Sequence, residues 1–120
     1  MVVIADGSKL VDRLGAYALP VEVIRFGART TIARIERAIA GLGYREIAIS
    51  LRIDGDVPFI TDSGHMIFDC AFRAITDPAA LANTLSDVPG VVDHGLFVGI
   101  ATALVIARED GVEVIERKTP

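Results

Sequence analysis

The order of strand and helix signals across residues 19–98 is the feature that most constrains the fold of this 120-residue chain. Residues 19–24 are a strand candidate, and Ile32, Ile35 and Ile39 follow at helical spacing. Two further strand regions, a second helix and a last strand region complete the segment. Strand, helix, strand, strand, helix, strand is the order of the split βαβ unit. The sequence therefore predicts a ferredoxin-like βαββαβ lobe.

Polar and turn residues predict where the elements of this lobe begin and end. Thr30 and Thr31 are candidate N-caps of the first helix, and Gly41 is a candidate stop. Asp77 followed by Pro78 marks the start of the second helix, because proline fits the first helical position. The remaining predicted strands of the lobe are residues 47–51, 59–61, 66–68, 91–92 and 96–98, with a hairpin turn at residues 62–65.

The two flanks of the lobe have a different character. Residues 2–5 and 103–107 are apolar and rich in β-branched side chains, which is typical of parallel strands buried on both faces, and residues 112–115 are predicted as a last strand. Asp6 or Ser8 is a candidate cap for a short helix through Leu14. We therefore expect an α/β chain in which the lobe, residues 19–98, is inserted between strands of a partial Rossmann-like parallel sheet. Residues 1–18 and 99–120 would form that incomplete sheet domain.

Composition and charge exclude several classes of function. Twelve basic and sixteen acidic residues give a net charge of −4, and the basic residues are scattered rather than clustered. Nucleic-acid binding and attachment to a membrane surface both need a positive footprint, so we expect neither partner. A single cysteine, Cys70, cannot form an internal disulfide, which favours a cytoplasmic location.

Lys9 is the principal candidate for a binding residue. It follows the apolar strand at residues 2–5, and ligands of open parallel sheets lie beyond the carboxyl ends of the strands. A lysine at that place is a cation suited to a phosphate or a sugar oxygen. Asp6 is more simply explained as a helix cap than as a site carboxylate.

Other residues whose side chains could take part in catalysis or metal binding are assigned structural roles. His65 lies in a predicted turn, and the adjacent Asp93 and His94 would point to opposite faces of a strand. Cys70 has no cysteine partner and is predicted to be a small buried residue. The aspartates that lie close together in sequence lack the fixed offsets of a metal loop and are predicted turn formers: Asp54, Asp56, Asp62 and Asp69. We therefore expect no metal and no cofactor.

Three segments carry a resemblance to a known family. They are residues 3–15, which contain Ala5-Asp6-Gly7-Ser8-Lys9; residues 59–69, which contain Thr61-Asp62-Ser63-Gly64; and residues 89–97, Pro-Gly-Val-Val-Asp-His-Gly-Leu-Phe. In order and spacing they resemble type A ribose-5-phosphate isomerase over nearly the whole chain. Arg25, Ser63 and His65 stand where that family usually has proline, asparagine and asparagine, so they affect local turn geometry more than the fold.

The resemblance implies that this chain corresponds to the C-terminal half of such an isomerase. The family interconverts ribose 5-phosphate and ribulose 5-phosphate in the pentose phosphate pathway, and its phosphate loop, acidic motif and catalytic glutamate lie N-terminal to the residues matched here. The resemblance therefore implies no catalytic residue in this chain, with Lys9 as its one substrate-binding residue. It also implies the N-terminal half as a partner, a homo-oligomer, and no activity without that half.

A second interpretation from another class stays open. A ferredoxin-like lobe also serves as a non-catalytic small-molecule-binding or oligomerisation module, and a fold alone does not settle function. A free-standing module of that kind has no need of the flanking strands or of Lys9. Their presence favours the isomerase interpretation.

Overall fold

The chain divides into two compact units that we call the terminal unit (residues 1–12 and 97–120) and the central unit (residues 13–96). The computed structural model describes residues 1–9, 11, 13–99, 101 and 103–116. Each unit contains its own β-sheet, and the mixed α/β class predicted from the sequence is confirmed. The elements in chain order are β1 (Val2–Asp6), a 3-10 helix (Gly7–Lys9), β2 (Leu19–Val23), α1 (Ala28–Ala40), β3 (Ala48–Leu51), β4 (Ile53–Asp54), β5 (Val57–Pro58), β6 (Met66–Ala71), α2 (Pro78–Ser86), β7 (Val91–His94), β8 (Ala103–Arg108) and β9 (Gly111–Glu116).

The central unit is built on a four-stranded sheet in the order β3-β6-β2-β7, in which every neighbouring pair is antiparallel. Alternate residues of β2 are buried because successive side chains of a strand point to opposite faces. The buried face of the sheet and both helices contribute to one apolar core. Its members are Leu19, Val21, Val23, Ile35, Ile39, Cys70, Phe72, Ile75, Leu81, Leu85, Val88 and Leu96.

The two helices begin differently, and only one start was predicted correctly. Asp77 caps α2 by accepting a hydrogen bond from Ala80 N–H at 3.1 Å, as the Asp-Pro pair indicates. The prediction of Thr30 or Thr31 as the cap of α1 is wrong, because Gly27 is the N-cap and both threonines lie in the first turn. The Thr31 hydroxyl instead donates to the Gly27 carbonyl at 3.2 Å, from a position that is almost fully buried.

Two strand assignments of the central region also differ from the sequence expectation. A small hairpin, β4 with β5, lies where no strand was predicted. The predicted strand at residues 59–61 is reduced to a single bridge between Ile60 and Met66. Residues 96–98 are not a strand either, since β7 ends at His94 and the Gly95 N–H donates to the Pro20 carbonyl.

The terminal unit contains a three-stranded sheet in the order β1-β8-β9. Strands β1 and β8 are parallel, while β8 and β9 form an antiparallel hairpin that turns at Glu109 and Asp110. The predicted short helix through Leu14 is wrong for the described residues, because Asp6 ends β1 and only Gly7–Lys9 are helical.

One face of this sheet carries exposed apolar side chains. Ile4 pairs with Val105, and Val105 pairs with Val114, so the three side chains share a face. Ile4 is 77% exposed and Val112, two residues from Val114 on the same face, is 69% exposed. The prediction that β1 is buried on both faces is therefore wrong for this chain, since no element among the described residues of the terminal unit covers this face.

No helix in the described part of the chain is long and apolar enough to cross a membrane.

Candidate functional site

The candidate site lies at the carboxyl end of β1, where the chain turns from the strand into the 3-10 helix Gly7–Lys9. Because β8 runs parallel to β1, its carboxyl end reaches the same edge of the sheet. Asp6 pairs with Ala107, and Arg108 follows directly. The structure thus brings Lys9 and Arg108, which are 99 positions apart in the sequence, to one edge of the terminal unit.

Asp6 organises the turn that presents Lys9. Its carboxylate oxygen Oδ1 accepts a hydrogen bond from Ser8 N–H at 2.9 Å and another, short one from the Ser8 hydroxyl. These bonds lower the pKa of Asp6, first through the hydroxyl and then through the N–H, with a smaller contribution from the charge of Lys9. A carboxylate whose Oδ1 is held in this way caps the turn and is a poor acceptor for a substrate proton.

Arg108 contacts the same turn from the other strand. A Cβ placed on Gly7 would lie 3.4 Å from Arg108 Nη1, so the guanidinium packs along the Gly7 backbone. Its orientation is fixed from the far side by Glu113, which accepts from Nε at 3.0 Å and from Nη2 at 2.8 Å. An exposed ion pair of this kind adds little stability, but it holds the guanidinium plane beside the turn.

Among the described residues, the cationic groups at this edge suit the binding of a polar or anionic ligand. Lys9 and Arg108 offer N–H donors and positive charge, which suit a phosphate or a sugar hydroxyl. Both histidines of the chain belong to the central unit. Lys9 and Asp6 were singled out from the sequence, whereas Arg108 was not, although its position directly after an apolar strand was a signal that could have identified it.

The two histidines do not assemble into a catalytic group with the described residues. His94 Nδ1 accepts from Leu96 N–H at 3.1 Å, which leaves Nε2 to donate to the Ser86 hydroxyl at 3.1 Å. Asp93 bonds the backbone N–H of His94 rather than its ring. Among the described residues no group of three or more His, Cys, Asp or Glu side chains is arranged to hold a metal ion.

The remaining candidates belong to the central unit. Cys70 is fully buried, as predicted, and burial raises the pKa of its thiol to about 12, with a further contribution from the charge of Asp69. Asp69 is not a turn former, contrary to expectation, because it lies in β6 and forms a bidentate pair with Arg52 at 2.6 and 3.1 Å. Such a pair orients the two side chains toward each other.

Comparison with known proteins shows which family the chain resembles. Residues 1–111 match the family model of ribose 5-phosphate isomerase A (phosphoriboisomerase A). Ribose-5-phosphate isomerase A of Bartonella bacilliformis is 46% identical over 119 residues, which are 98% of this chain and 51% of that protein. The corresponding protein of Jannaschia sp. is 51% identical over 115 residues, 95% of this chain and 44% of that protein.

Solved structures agree in fold as well as in sequence. Ribose 5-phosphate isomerase from Plasmodium falciparum superposes with a TM-score of 0.86 at 30% identity, over 98% of this chain and 51% of that one. The chain spans about half the length of the curated relatives it matches. At that coverage of its own residues, this chain belongs to the ribose 5-phosphate isomerase A family.

Proposed function

We propose that this chain is the C-terminal portion of a ribose-5-phosphate isomerase and that it supplies Lys9 to the binding of the sugar phosphate. The observation that carries this proposal is the placement of Lys9 beyond the carboxyl end of β1, beside Arg108 from the parallel strand β8. A related D-ribose-5-phosphate isomerase, 32% identical with a TM-score of 0.84, was solved in complex with phospho-erythronic acid. That ligand is itself a sugar-acid phosphate, which supports a phosphorylated polyol as the ligand class.

The reaction sets requirements that this edge meets only in part. An aldose–ketose isomerisation moves a proton between adjacent carbons through an enediolate, so it needs a positioned base and donors for the developing negative charge. Lys9 and Arg108 satisfy the need for cationic donors. The carboxylate of Asp6 already accepts two hydrogen bonds from Ser8, which makes it a poor candidate for the base. We therefore assign the base to the half of the enzyme that precedes these residues, and we infer that the 120-residue chain alone is inactive.

The architecture of the central unit supports a ferredoxin-like lobe. Its strand order, β3-β6-β2-β7 with α1 after β2 and α2 after β6, is the order that a split βαβ unit adopts when its first and third strands pair in the centre. We propose that this lobe is inserted between strands of a Rossmann-like sheet, of which β1 and β8 are part. The compact units divide at residues 12/13 and 96/97, close to the lobe boundaries of 19 and 98 predicted from the sequence.

The N-terminal half of the isomerase is the proposed partner of the terminal unit. The apolar face that carries Ile4 and Val112 is exposed, and β1 has a sheet neighbour on one side only among the described strands. Exposed apolar faces and open strand edges favour association with another polypeptide. About half of the length of the relatives lies outside this match. That other half of the isomerase is the polypeptide that we propose to cover the apolar face. Without it, we expect the chain to self-associate through this face.

We retain the prediction of a cytoplasmic enzyme.

The test is a chimera in which the N-terminal half of the Bartonella bacilliformis relative precedes this chain. Formation of ribulose 5-phosphate from ribose 5-phosphate by the chimera, and none by the chain alone, is the expected result. A folded chimera without activity would overturn the proposal, as would robust turnover that follows the isolated chain through purification.

A further inference from the structure

The turn that ends the central unit is held by a histidine ring. Strand β7 ends at His94, Gly95 and Leu96 follow, and the chain enters the terminal unit at residue 97. The His94 ring contacts this turn and the end of α2 at the same time, because Nδ1 lies 3.1 Å from the Leu96 nitrogen and Nε2 lies 3.1 Å from the Ser86 hydroxyl. We propose that residues 94–96 are a proton-controlled hinge, which neutral His94 fixes and protonated His94 releases.

The contact with Leu96 determines which nitrogen of the ring carries the proton. A backbone N–H can only donate, so Nδ1 is the unprotonated nitrogen and the proton of the neutral ring lies on Nε2. The Ser86 hydroxyl then accepts from Nε2–H. The same tautomer excludes Ser86 as an activated nucleophile, because Nε2 has no lone pair with which to take the hydroxyl proton. The pair therefore holds the chain in place and does not attack a substrate.

A second proton on the ring removes one of the two contacts. Both nitrogens of an imidazolium ion are donors, so Nδ1–H would face Leu96 N–H and their hydrogen bond would be lost. Leu96 is 8% exposed and belongs to the apolar core, so its N–H regains a partner only if the turn moves toward water. The contact between Nε2–H and Ser86 is compatible with both states. Protonation therefore leaves the ring beside α2 and releases the turn.

The charges on the neighbouring elements do not oppose this protonation. Strand β7 packs against β2 and α2. Their charged side chains are Glu22 on β2, Asp93 on β7 itself and Asp87 at the C-cap of α2, and all three are carboxylates. The C-terminal end of a helix also favours a nearby cation. Histidine is the side chain that changes charge between about pH 5 and 8, so the hydrogen bond to Leu96 is present at neutral pH and is lost as the pH falls.

The experiment measures amide exchange of the full chain by NMR at about pH 7.5 and about pH 5.5, as a protection factor relative to an unstructured peptide at the same pH. We expect the protection of Leu96 N–H to fall about tenfold over this interval. The internal control is Arg52 N–H, which donates to the Ile67 carbonyl and should keep its protection. The His94 ring and Leu96 N–H should also titrate with the same midpoint, a readout that needs no substitution. This inference does not depend on the proposed catalytic role, because no turnover is measured.

Two substitutions separate the roles of the two ring nitrogens. In His94→Asn the amide oxygen takes the place of Nδ1 as an acceptor and does not titrate, so the protection of Leu96 should be high at both pH values. His94→Gln places its amide nearer Ser86 and leaves Leu96 N–H without an acceptor, so protection should be low at both. The matched control is His65→Asn, at the other histidine of the chain, which should keep the tenfold fall.

Three results would overturn the proposal. The first is a protection of Leu96 that does not change with pH in the unsubstituted chain. The second is a fall that persists in His94→Asn. The third is a ring spectrum that places the proton of neutral His94 on Nδ1, or a midpoint of the ring that differs from that of Leu96 N–H.

Discussion

Gly90 allows a sharp test of how α1 packs against the turn before β7. Its φ is 96°, its carbonyl accepts a hydrogen bond from Ile24 N–H at 3.0 Å, and a Cβ at this position would lie 2.3 Å from Thr31 Oγ1. Thr31 is almost fully buried and its hydroxyl bonds the Gly27 carbonyl, so its side chain has little freedom to move away. Rotation about χ1 does not clear the space: the hydroxyl and the methyl group both face the added Cβ, at 2.3 and 2.9 Å, and each staggered rotamer leaves at least one heavy atom there.

Two effects add in Gly90→Ala. Placing a residue with a Cβ at positive φ costs about 1–2 kcal/mol. Overpacking against a side chain that cannot yield costs about 1–3 kcal/mol. We therefore expect the free energy of unfolding to fall by about 2–5 kcal/mol, and the Tm of the chain to fall by about 10 °C or more.

Urea denaturation of the full chain separates the two effects. Gly43 has a φ of 95°, nearly that of Gly90, but a Cβ there meets no atom within 4 Å, so Gly43→Ala reports the backbone cost alone. The double variant G90A/T31A removes the atoms that clash most closely, and it should show a favourable coupling of about 1–3 kcal/mol. If Gly90→Ala costs no more than Gly43→Ala, or if Thr31→Ala does not relieve it, the described packing of α1 on this turn is wrong.

Further predictions concern binding, reactivity and pH. In the chimera with an N-terminal half, Lys9→Ala should raise KM for ribose 5-phosphate about 10- to 100-fold with a smaller effect on kcat. The reason is that a charged hydrogen bond to the phosphate or to a hydroxyl exists in both the ground state and the transition state. Steady-state kinetics that show an unchanged KM and kcat would refute the role of Lys9. In the native chain Cys70 should react very slowly with a thiol reagent at pH 8 and fully in denaturant, because burial raises the pKa of its thiol to about 12; rapid stoichiometric labelling of the folded chain would contradict this. Because that pKa is raised on folding, the unfolded thiol ionises first as pH increases. The contribution of Cys70 to stability should therefore be full below about pH 9 and fall progressively between about pH 9 and about pH 12, and urea denaturation of the chain and of Cys70→Ala at pH 7 and pH 10 would measure the first part of this fall.

The parts of the fold that follow from local chemistry could be predicted from the sequence. Apolar residues at helical spacing indicate α1, and the Asp77-Pro78 pair fixes the start of α2, because periodicity and capping act within a few residues. The apolar run that forms β8 and the turn into β9 are visible for the same reason. The burial of Cys70 follows from its place among apolar neighbours.

The features that depend on distant segments could not be predicted in this way. The cap of α1 is Gly27 rather than a threonine, and Thr31 lies against Gly90, a contact with a segment far along the chain. The pairing of Asp69 with Arg52 depends on the register of β3 against β6. Arg108 follows an apolar strand, which is visible in the sequence, but its position beside Gly7 depends on the register in which β8 pairs with β1.

The most direct test of the central claim is the isomerase activity of the chimera described above, compared with that of the 120-residue chain under the same conditions. The account predicts conversion of ribose 5-phosphate to ribulose 5-phosphate by the chimera, a large rise in KM on Lys9→Ala, and no conversion by the isolated chain. Equal turnover by the isolated chain would contradict the account, because it would place the catalytic base among residues to which we assign binding and structural roles.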